Sequence, residues 1–206
     1  EICACLVGSE MCIRDRILKK IAESVTKPLS FNRLSNILKS AGAVLGKQTV
    51  INYVGYMMDS YMLFTLQNYA AKLVEKETSP KYYFMDTGLL GLMLMDCSSA
   101  QLENLVAIEL IRRYGRENVF YFEKNVEIDF YVPEEKLAIQ VSLQVLDQID
   151  TREREIGAFV KLKNFIGDAT CLLITNSEEE ELDYEGVHVS VVPVWKWLLQ
   201  NRKQDI

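Results

Sequence analysis

Acidic, amide and hydroxyl side chains alternate with apolar ones in EIDFYVPEEKLAIQVSLQV, residues 127–145. The alternation predicts two antiparallel strands, and alternate side chains of a strand point to the same face of its sheet. The polar face of this hairpin is predicted to carry Glu127, Asp129, Gln140 and Ser142. Carboxylates are the ligands that Mg²⁺ prefers, and a bound metal ion can activate water for hydrolysis. The hairpin is therefore a candidate metal-dependent hydrolytic site.

The turn of the hairpin decides which residues face each other across the two strands. A turn over residues 133–136 places Val132 opposite Leu137 and Asp129 opposite Gln140. The other face of the hairpin is predicted to point into the core with Phe130, Val132, Ile139 and Val141.

A helix predicted over QLENLVAIELIRRYG, residues 101–115, carries two acids on its apolar side. These acids are Glu103 and Glu109. Burying a carboxylate costs free energy unless a cation or hydrogen bonds compensate its charge. Each acid is therefore predicted to belong either to a site or to a buried ion pair.

The elements that must position these acids alternate between helix and strand patterns. TREREIGAFVKLKNFI (151–166) and PVWKWLLQNRK (193–203) predict helices, and TCLLITN (170–176) and VHVSVV (187–192) predict strands. SEEEELDYEG (177–186) predicts an acidic loop. Strands followed by crossover helices imply an α/β fold with a mixed sheet flanked by helices.

Two pairs of residues in these helices have weaker functional cases. Arg154 and Glu155 are predicted to form a solvated ion pair in the first turn of their helix. Trp195 and Trp197 stand two residues apart on a helix, so they cannot both face the core squarely.

Residues 15–80 predict three short helices and a β-hairpin, which are the elements of a winged helix-turn-helix. The third helix of such a unit enters the major groove of DNA. The residues predicted to contact DNA are Arg33, Lys39, Lys47, Gln48 and Asn52. The inward face of the third helix is predicted to bury Val50, Val54, Met57 and Tyr61. The same unit also serves as a protein-docking module, and both roles remain open.

Charge separates the two predicted domains, residues 15–80 and 81–206. The first holds nine Lys and Arg against five Asp and Glu, a balance of +4, and the second holds 13 against 22, a balance of −9. Only the first domain therefore has an electrostatic case for binding nucleic acid.

Composition bears on the compartment and on the N-terminal end. The five cysteines have irregular spacing, which argues against a disulfide framework and predicts a reducing cytoplasm. No apolar run is long enough to span a membrane. Residues 1–14 have no strand or helix period and resemble translated sequencing-adapter read-through. They are predicted to be a disordered artefact outside the fold.

Six segments occur in the order found in a known protein family. KYYFMDTGLL, LENLVAIELIRR, EIDFYV, IQVS, TREREIGAF and VPVWKWLL resemble the C-terminal region of prokaryotic AAA+-type P-loop ATPases. That family joins an ATPase domain to a winged helix and a domain of unknown function related to PD-(D/E)XK nucleases. The resemblance implies a winged helix-turn-helix followed by a restriction-endonuclease-like domain. No P-loop motif occurs, so the chain is predicted to be a fragment without the ATPase domain.

The resemblance also implies roles for the polar face. Glu103 matches the helix acid of the nucleases and Asp129 their central metal ligand, while Gln140 falls at the second acid and Ser142 at the lysine. With that acid and lysine missing, the site is predicted to be vestigial. Glu103, Asp129 and Glu127 would bind Mg²⁺ only if the nuclease were active, and ATP would bind only to the missing domain.

Three functions are therefore predicted as alternatives. The preferred one is a non-catalytic accessory region of an ATPase, in which the winged helix docks DNA or a protein partner. The second is an active Mg²⁺-dependent DNA nuclease, and the third is a structural oligomerisation module. The predicted partners are DNA, the missing ATPase domain, a protein partner or a second copy of the chain, with no membrane.

Overall fold

The computed structural model describes residues 3–40, 42, 46–72, 76, 78–146 and 149–200, with side chains from residue 13 onward except at 149. The α-helices in these ranges are α1 (Cys3–Ala22), α2 (Phe31–Ser40), α3 (Lys47–Asp59), α4 (Thr87–Met93), α5 (Ser98–Tyr114), α6 (Ile149–Ile166) and α7 (Val194–Gln200). The strands are β1 (Leu63–Asn68), β2 (Lys81–Phe84), β3 (Phe120–Glu123), β4 (Glu127–Val132), β5 (Leu137–Val141), β6 (Thr170–Thr175), β7 (Glu180–Tyr184) and β8 (Val187–Pro193).

The strands form an eight-stranded mixed sheet in the order β2-β1-β3-β4-β5-β6-β8-β7. The pairs β1–β3, β5–β6 and β6–β8 are parallel, and the other neighbours are antiparallel. Ala138 and Ile139, adjacent on β5, belong to different buried clusters, one containing α6 and the other α1, α2, α3 and α5. Helices therefore cover both faces, which confirms the predicted α/β fold with a mixed sheet flanked by helices.

The β4–β5 hairpin has the predicted register. Val132 pairs with Leu137 and Phe130 with Ile139, as a turn over residues 133–136 requires. Phe130, Val132, Ile139 and Val141 are buried together, so the prediction of the core-facing side is confirmed. This register brings Asp129 and Gln140 side by side at the open end of the hairpin.

The N-terminal helices follow the predicted pattern with one exception. The Ser30 hydroxyl accepts a hydrogen bond from the backbone N–H of Arg33 and so caps α2. Val50, Val54 and Met57 are buried on α3 as predicted. Tyr61 is instead 80% exposed, because the chain turns sharply after α3 and places this residue at φ 56°. Its side chain leaves the helical line that would have buried it.

Other elements differ from the sequence prediction. Part of the predicted acidic loop is a strand, β7, because Leu182 packs against Val189 of β8 while its charged neighbours face solvent. The helix α1 begins at Cys3, so the structure has helix in a segment predicted to be disordered. The origin of residues 1–14 as read-through stays a prediction.

The predicted domain boundary at residue 80 falls inside the β1–β2 hairpin, whose strands pair with each other. One buried cluster joins Ile17 and Leu34 from one side of the boundary to Phe130 and Trp197 from the other. The division into two domains stays a prediction. In the part of the chain that the structure describes, no helix has the length and apolarity needed to cross a membrane.

Candidate lysine–carboxylate site

The candidate site lies where β4, β5, α5 and β2 meet. Asp129 is held on β4 by its own strand neighbours: its carboxylate oxygen Oδ2 accepts a hydrogen bond from the backbone N–H of Val141, at 2.9 Å. The Gln140 amide oxygen accepts from the backbone N–H of Asp129 at 2.8 Å, and its amide nitrogen donates to the carbonyl of Glu127 at 3.2 Å. Both ends of the amide are therefore occupied by backbone groups of β4. Gln140 ties the two strands together and offers no free oxygen to a ligand.

Lys81, the first residue of β2, supplies a cation to this site. Its side-chain nitrogen Nζ lies 3.0 Å from an oxygen of Glu127, 3.8 Å from Asp129 and 3.9 Å from Glu103. The ring centre of Tyr121 lies 5.3 Å from the same nitrogen, close enough for a cation–π contact. The side chain of Lys81 is completely buried. Although Ser142 stands where the family resemblance places a lysine, β2 brings an ammonium to the carboxylates from a distant part of the chain.

Glu103 reaches the same cluster from α5. Its oxygen Oε1 accepts a hydrogen bond from the hydroxyl of Tyr83 at 2.8 Å. Tyr83 and Lys81 stand two residues apart on β2, so they share a face of the strand and both point at Glu103. The side chain of Glu103 is 7% exposed. Glu103 therefore belongs to the buried site and is not part of a surface ion pair.

A buried amide fixes β2 against α5. The side chain of Asn104 donates to the carbonyl of Phe84 at 2.9 Å and accepts from the N–H of the same residue at 2.7 Å. Asn104 is fully buried, as are all four residues of β2. The paired hydrogen bonds satisfy both backbone groups of Phe84 and set the position of the strand that carries Lys81.

The buried charges shift one another's pKa values. Burial raises the pKa of Glu103, and the charge of Asp129 adds to this, while Lys81 and Tyr83 oppose it. Burial also raises the pKa of Asp129, against the opposing effect of Lys81. Burial lowers the pKa of Lys81, but its three carboxylate neighbours outweigh that effect and the net shift is upward. Lys81 therefore stays protonated, and the raised pKa values of Glu103 and Asp129 favour the protonated, uncharged forms of these two acids.

A cavity of about 360 Å³ opens beside this cluster. Its acidic wall consists of Glu103, Glu127, Asp129 and Glu155. Its basic rim consists of Lys27, Arg154 and Lys161, all of which are exposed. Arg154 pairs with Glu155 at 2.5 Å, so the predicted ion pair at the start of α6 forms next to Asp129. Burial raises the pKa of Glu155, as does the charge of Asp129.

The structure brings together only part of the predicted site. Glu103, Asp129 and Glu127 each approach the ammonium of Lys81. Among the described residues, however, no group of three or more Asp, Glu, His or Cys side chains is arranged to hold a metal ion. Ser142 donates its hydroxyl to the carbonyl of Gln144 and does not line the cavity.

The residues predicted to contact DNA lie on α2 and α3, away from the cavity. Arg33 and Lys39 are exposed on α2, and Lys47, Gln48 and Asn52 are exposed on α3. Gln48 donates to the Asn52 side chain at 3.1 Å, so these two amides are partly engaged with each other. The structure leaves their contact with DNA as a prediction.

Three residues of the site were missed by reading the sequence, namely Lys81, Tyr83 and Asn104. A signal was present for Lys81, since a lysine heads the otherwise apolar strand KYYF and shares a face with Tyr83. Such a pattern marks a charge that must find a buried partner. It does not say which partner.

The fold and site define a mixed α/β protein in which a buried lysine meets three carboxylates beside a cavity. Residues 13–100 match a domain of unknown function, DUF8612. The chain is also similar to an uncharacterized protein, MJ1544, of Methanocaldococcus jannaschii, with 32% identity over 181 residues. This match covers 83% of the chain and 41% of that relative, so the chain spans less than half the relative's length. No solved structure gives a significant match.

Neither match links the chain to an ATPase or a nuclease. The resemblance to the C-terminal region of AAA+-type ATPases therefore stays a prediction, as do the winged helix and the restriction-endonuclease-like fold. The match to DUF8612 begins at Ile13, close to the end of the segment predicted to be read-through.

Proposed function

We propose that this chain is a non-catalytic accessory region of a longer protein, in which a winged helix docks DNA or a protein partner beside a degenerate nuclease-like sheet. The position of Lys81 carries the proposal: its ammonium lies among the three carboxylates that a catalytic metal ion would need. The greater length of the similar archaeal protein supports a role within a larger chain. An ATPase domain in that chain rests on the family resemblance.

The charge of Lys81 is the physical reason for expecting no catalysis. Mg²⁺ takes oxygen ligands at about 2.0–2.1 Å, so an ion bound to these carboxylates would lie close to the ammonium of Lys81. A divalent ion held about 4 Å from a fixed ammonium would be repelled by roughly 8 kcal/mol at an effective dielectric constant near 20. The carboxylates are of the right chemical type for Mg²⁺, but their arrangement around Lys81 does not fit it.

The docking role is supported by the exposed basic and amide side chains of α2 and α3. Contacts of lysine and arginine with phosphates release counterions, so binding to DNA should weaken steeply as salt increases. Retention on a DNA column at low salt, reduced by Arg33→Ala with Lys47→Ala, would favour DNA over a protein partner. Retention that is indifferent to both changes would favour the protein partner.

A cleavage assay tests the absence of catalysis. The purified chain is incubated with supercoiled plasmid and either Mg²⁺ or Mn²⁺, beside Asp129→Ala as the matched control. We expect the two proteins to leave the plasmid equally intact. Cleavage by the unchanged chain that disappears in Asp129→Ala would contradict the proposal.

An active Mg²⁺-dependent nuclease is the second candidate, and one observation favours it. Lys81 brings to Asp129 and Glu103 the ammonium that the hairpin lacks at Ser142. A lysine of this kind could orient water if the acids also held a metal ion. The plasmid assay separates the two candidates, because only the nuclease would cleave and depend on Asp129.

A further inference from the structure

We propose that the exposed face of α3 binds a single strand of DNA by stacking an unpaired base on the ring of Tyr56. The proposal rests on the proposed function, because it takes DNA as the ligand of the basic surface of α2 and α3. It adds that the DNA is single-stranded, and that contact with an aromatic ring contributes more to binding than hydrogen bonds to base edges.

Tyr56 places an aromatic ring among the residues predicted to contact DNA. Gln48, Asn52 and Tyr56 stand four residues apart, so they follow one another along one face of α3. Tyr56 is 64% exposed, so burial in the core does not account for its large ring. An exposed ring of this kind offers a flat surface on which a base can stack.

Tyr53 and Gly55 lie on opposite sides of Tyr56, because successive residues are about 100° apart around a helix. The ring centroids of Tyr53 and Tyr56 are 6.5 Å apart and their planes meet at 68°, which is an edge-to-face contact. Tyr53 therefore supports the ring from one side. On the other side, Gly55 contributes no side chain.

The fold gives no reason for a glycine at position 55. Glycine inside a helix is less favourable than alanine, and Gly55 lies in the middle of α3. Among the described residues, no atom lies within 4 Å of the position that a Cβ would take there. Close packing therefore does not require this glycine. Its missing side chain leaves open surface beside Tyr56, where a base has room to lie.

The hydrogen bonding of α3 favours a single strand over a duplex. The side-chain nitrogen of Gln48 donates to the side-chain oxygen of Asn52 at 3.1 Å, so these amides are less available to read base edges in a groove. Bases in a duplex cover each other's faces, whereas an unpaired base can stack on an aromatic side chain. The exposed ring of Tyr56 therefore fits an unpaired base.

Charge favours DNA over a protein partner at this surface. Residues 16–61 hold seven Lys and Arg against two Asp and Glu. Lys47 is exposed in the first turn of α3, about 14 Å along the helix from Tyr56. It can therefore contact a phosphate a few nucleotides from the stacked base. Asp59, one turn beyond Tyr56, repels phosphates, so the base and not the DNA backbone is expected at that end.

Fluorescence anisotropy tests the proposal with a labelled oligothymidylate of about 15 nucleotides and a labelled duplex of the same length, both at low salt. We expect the unchanged chain to bind the single strand more tightly than the duplex. Tyr56→Ala should weaken binding of the single strand about 5- to 150-fold, the range that corresponds to the loss of one stacked base. Tyr56→Phe keeps the ring and should bind like the unchanged chain.

A second variant, Gly55→Leu, tests the open surface beside the ring. Leucine is a good helix former, so the melting temperature should not fall, but its side chain would occupy the space proposed for the base. We expect it to weaken binding of oligothymidylate while Tyr56 is still present. The matched control is Tyr184→Ala, which removes an exposed tyrosine from the acidic strand β7 and should leave binding unchanged.

Three outcomes would overturn the inference. They are a folded Tyr56→Ala protein that binds oligothymidylate as tightly as the unchanged chain, tighter binding of the duplex than of the single strand, and no binding of either. The last outcome would leave the protein-partner form of the proposed function intact. Retention on duplex DNA that depends on Arg33 and Lys47 would leave its DNA form intact, so the two proposals can fail separately.

Discussion

Glu103 and Glu109 lie on the same helix, α5, and each points toward its buried side, yet they are neutralised in opposite ways. Glu109 pairs with Arg112 and Arg113 of its own helix, at 2.8 and 2.7 Å. Glu103 has no such local partner and instead meets Tyr83 and Lys81 from β2. A carboxylate with partners three and four residues away carries its compensation wherever the helix forms. Glu103 has compensation only once β2 has docked.

The pKa values of the two acids follow this difference. Hydrogen bonding from Arg112 lowers the pKa of Glu109, with further help from Arg113. Burial raises the pKa of Glu103 in spite of Lys81. One end of α5 is therefore a satisfied ion pair, and the other is a buried cluster in which Glu103 favours its protonated form. Strongly shifted pKa values of this kind are more typical of a functional pocket than of a structural contact.

Replacing Lys81 should produce the largest effect on this comparison. Lys81→Ala leaves three carboxylates without their buried cation, and breaking a buried ion pair in this way costs about 3–5 kcal/mol. The free energy of unfolding, measured with urea in metal-free buffer, should fall by that amount. Lys27→Ala, at the exposed rim of the cavity, is the control and should change it by less than about 0.5 kcal/mol. Equal effects of the two changes would show that Lys81 is not a buried counter-ion.

Replacing Asn104 should have the next largest effect. Asn104→Ala leaves the buried N–H and carbonyl of Phe84 without partners, which costs about 1–3 kcal/mol. Urea unfolding measures the loss. The matched control is Gln101→Ala on the same helix, because Gln101 makes only a long contact of 3.5 Å to a carbonyl at a partly buried position. A loss no greater than that of the control would mean that β2 is positioned by packing alone.

Replacing Glu109 should cost less, and its effect should depend on acid. Glu109→Gln weakens an ion pair within one helix, which is worth about 1 kcal/mol or less. Because the pKa of Glu109 is lowered in the folded chain, its contribution is present above the ordinary value of 4.5 and is lost as the pH falls through the folded value. The difference in melting temperature from the unchanged chain should therefore shrink in acid. A difference that does not change with pH would contradict the ion pair.

The contribution of Glu103 to stability should depend on pH in the opposite direction from that of Glu109. Its pKa is raised in the folded chain, so the stability gained from its protonated form is present below the ordinary value of 4.5 and is lost as the pH rises through the folded value. The Glu103→Gln variant mimics the protonated acid, so its melting temperature should increase relative to that of the unchanged chain as the pH rises. Parallel pH profiles for the two proteins would show that Glu103 is not under this electrostatic stress.

Much of the fold and some of the site could be predicted from local patterns. The register of the β4–β5 hairpin followed from alternation and a short turn. The spacing of Trp195 and Trp197 on a helix predicted that they cannot both face the core, and the structure buries Trp197 and exposes Trp195. Predictions of this kind succeed because the interacting residues are close in the chain.

The predictions that failed depend on features that local sequence patterns do not report. Tyr61 leaves the line of α3 because of a backbone turn at positive φ, which hydrophobic periodicity does not report. The strand β7 forms because β8 offers it a partner, although its own sequence is mostly acidic. The family resemblance placed Gln140 at the position of a metal ligand, whereas its amide forms hydrogen bonds with the backbone of the neighbouring strand. For β7 and Gln140, a neighbour in space overrode the local preference.

The sequence by itself determined which side chains share a face: Glu127 with Asp129 on one strand, and Lys81 with Tyr83 on another. These relations depend only on the two-residue repeat of a strand. Only the tertiary structure decided that the two faces meet and that an ammonium from β2 lies among the carboxylates. Charges interact through space even when the chain separates them widely. The carboxylates therefore predict a cation site from the sequence alone, whereas in the folded chain they already surround the ammonium of Lys81.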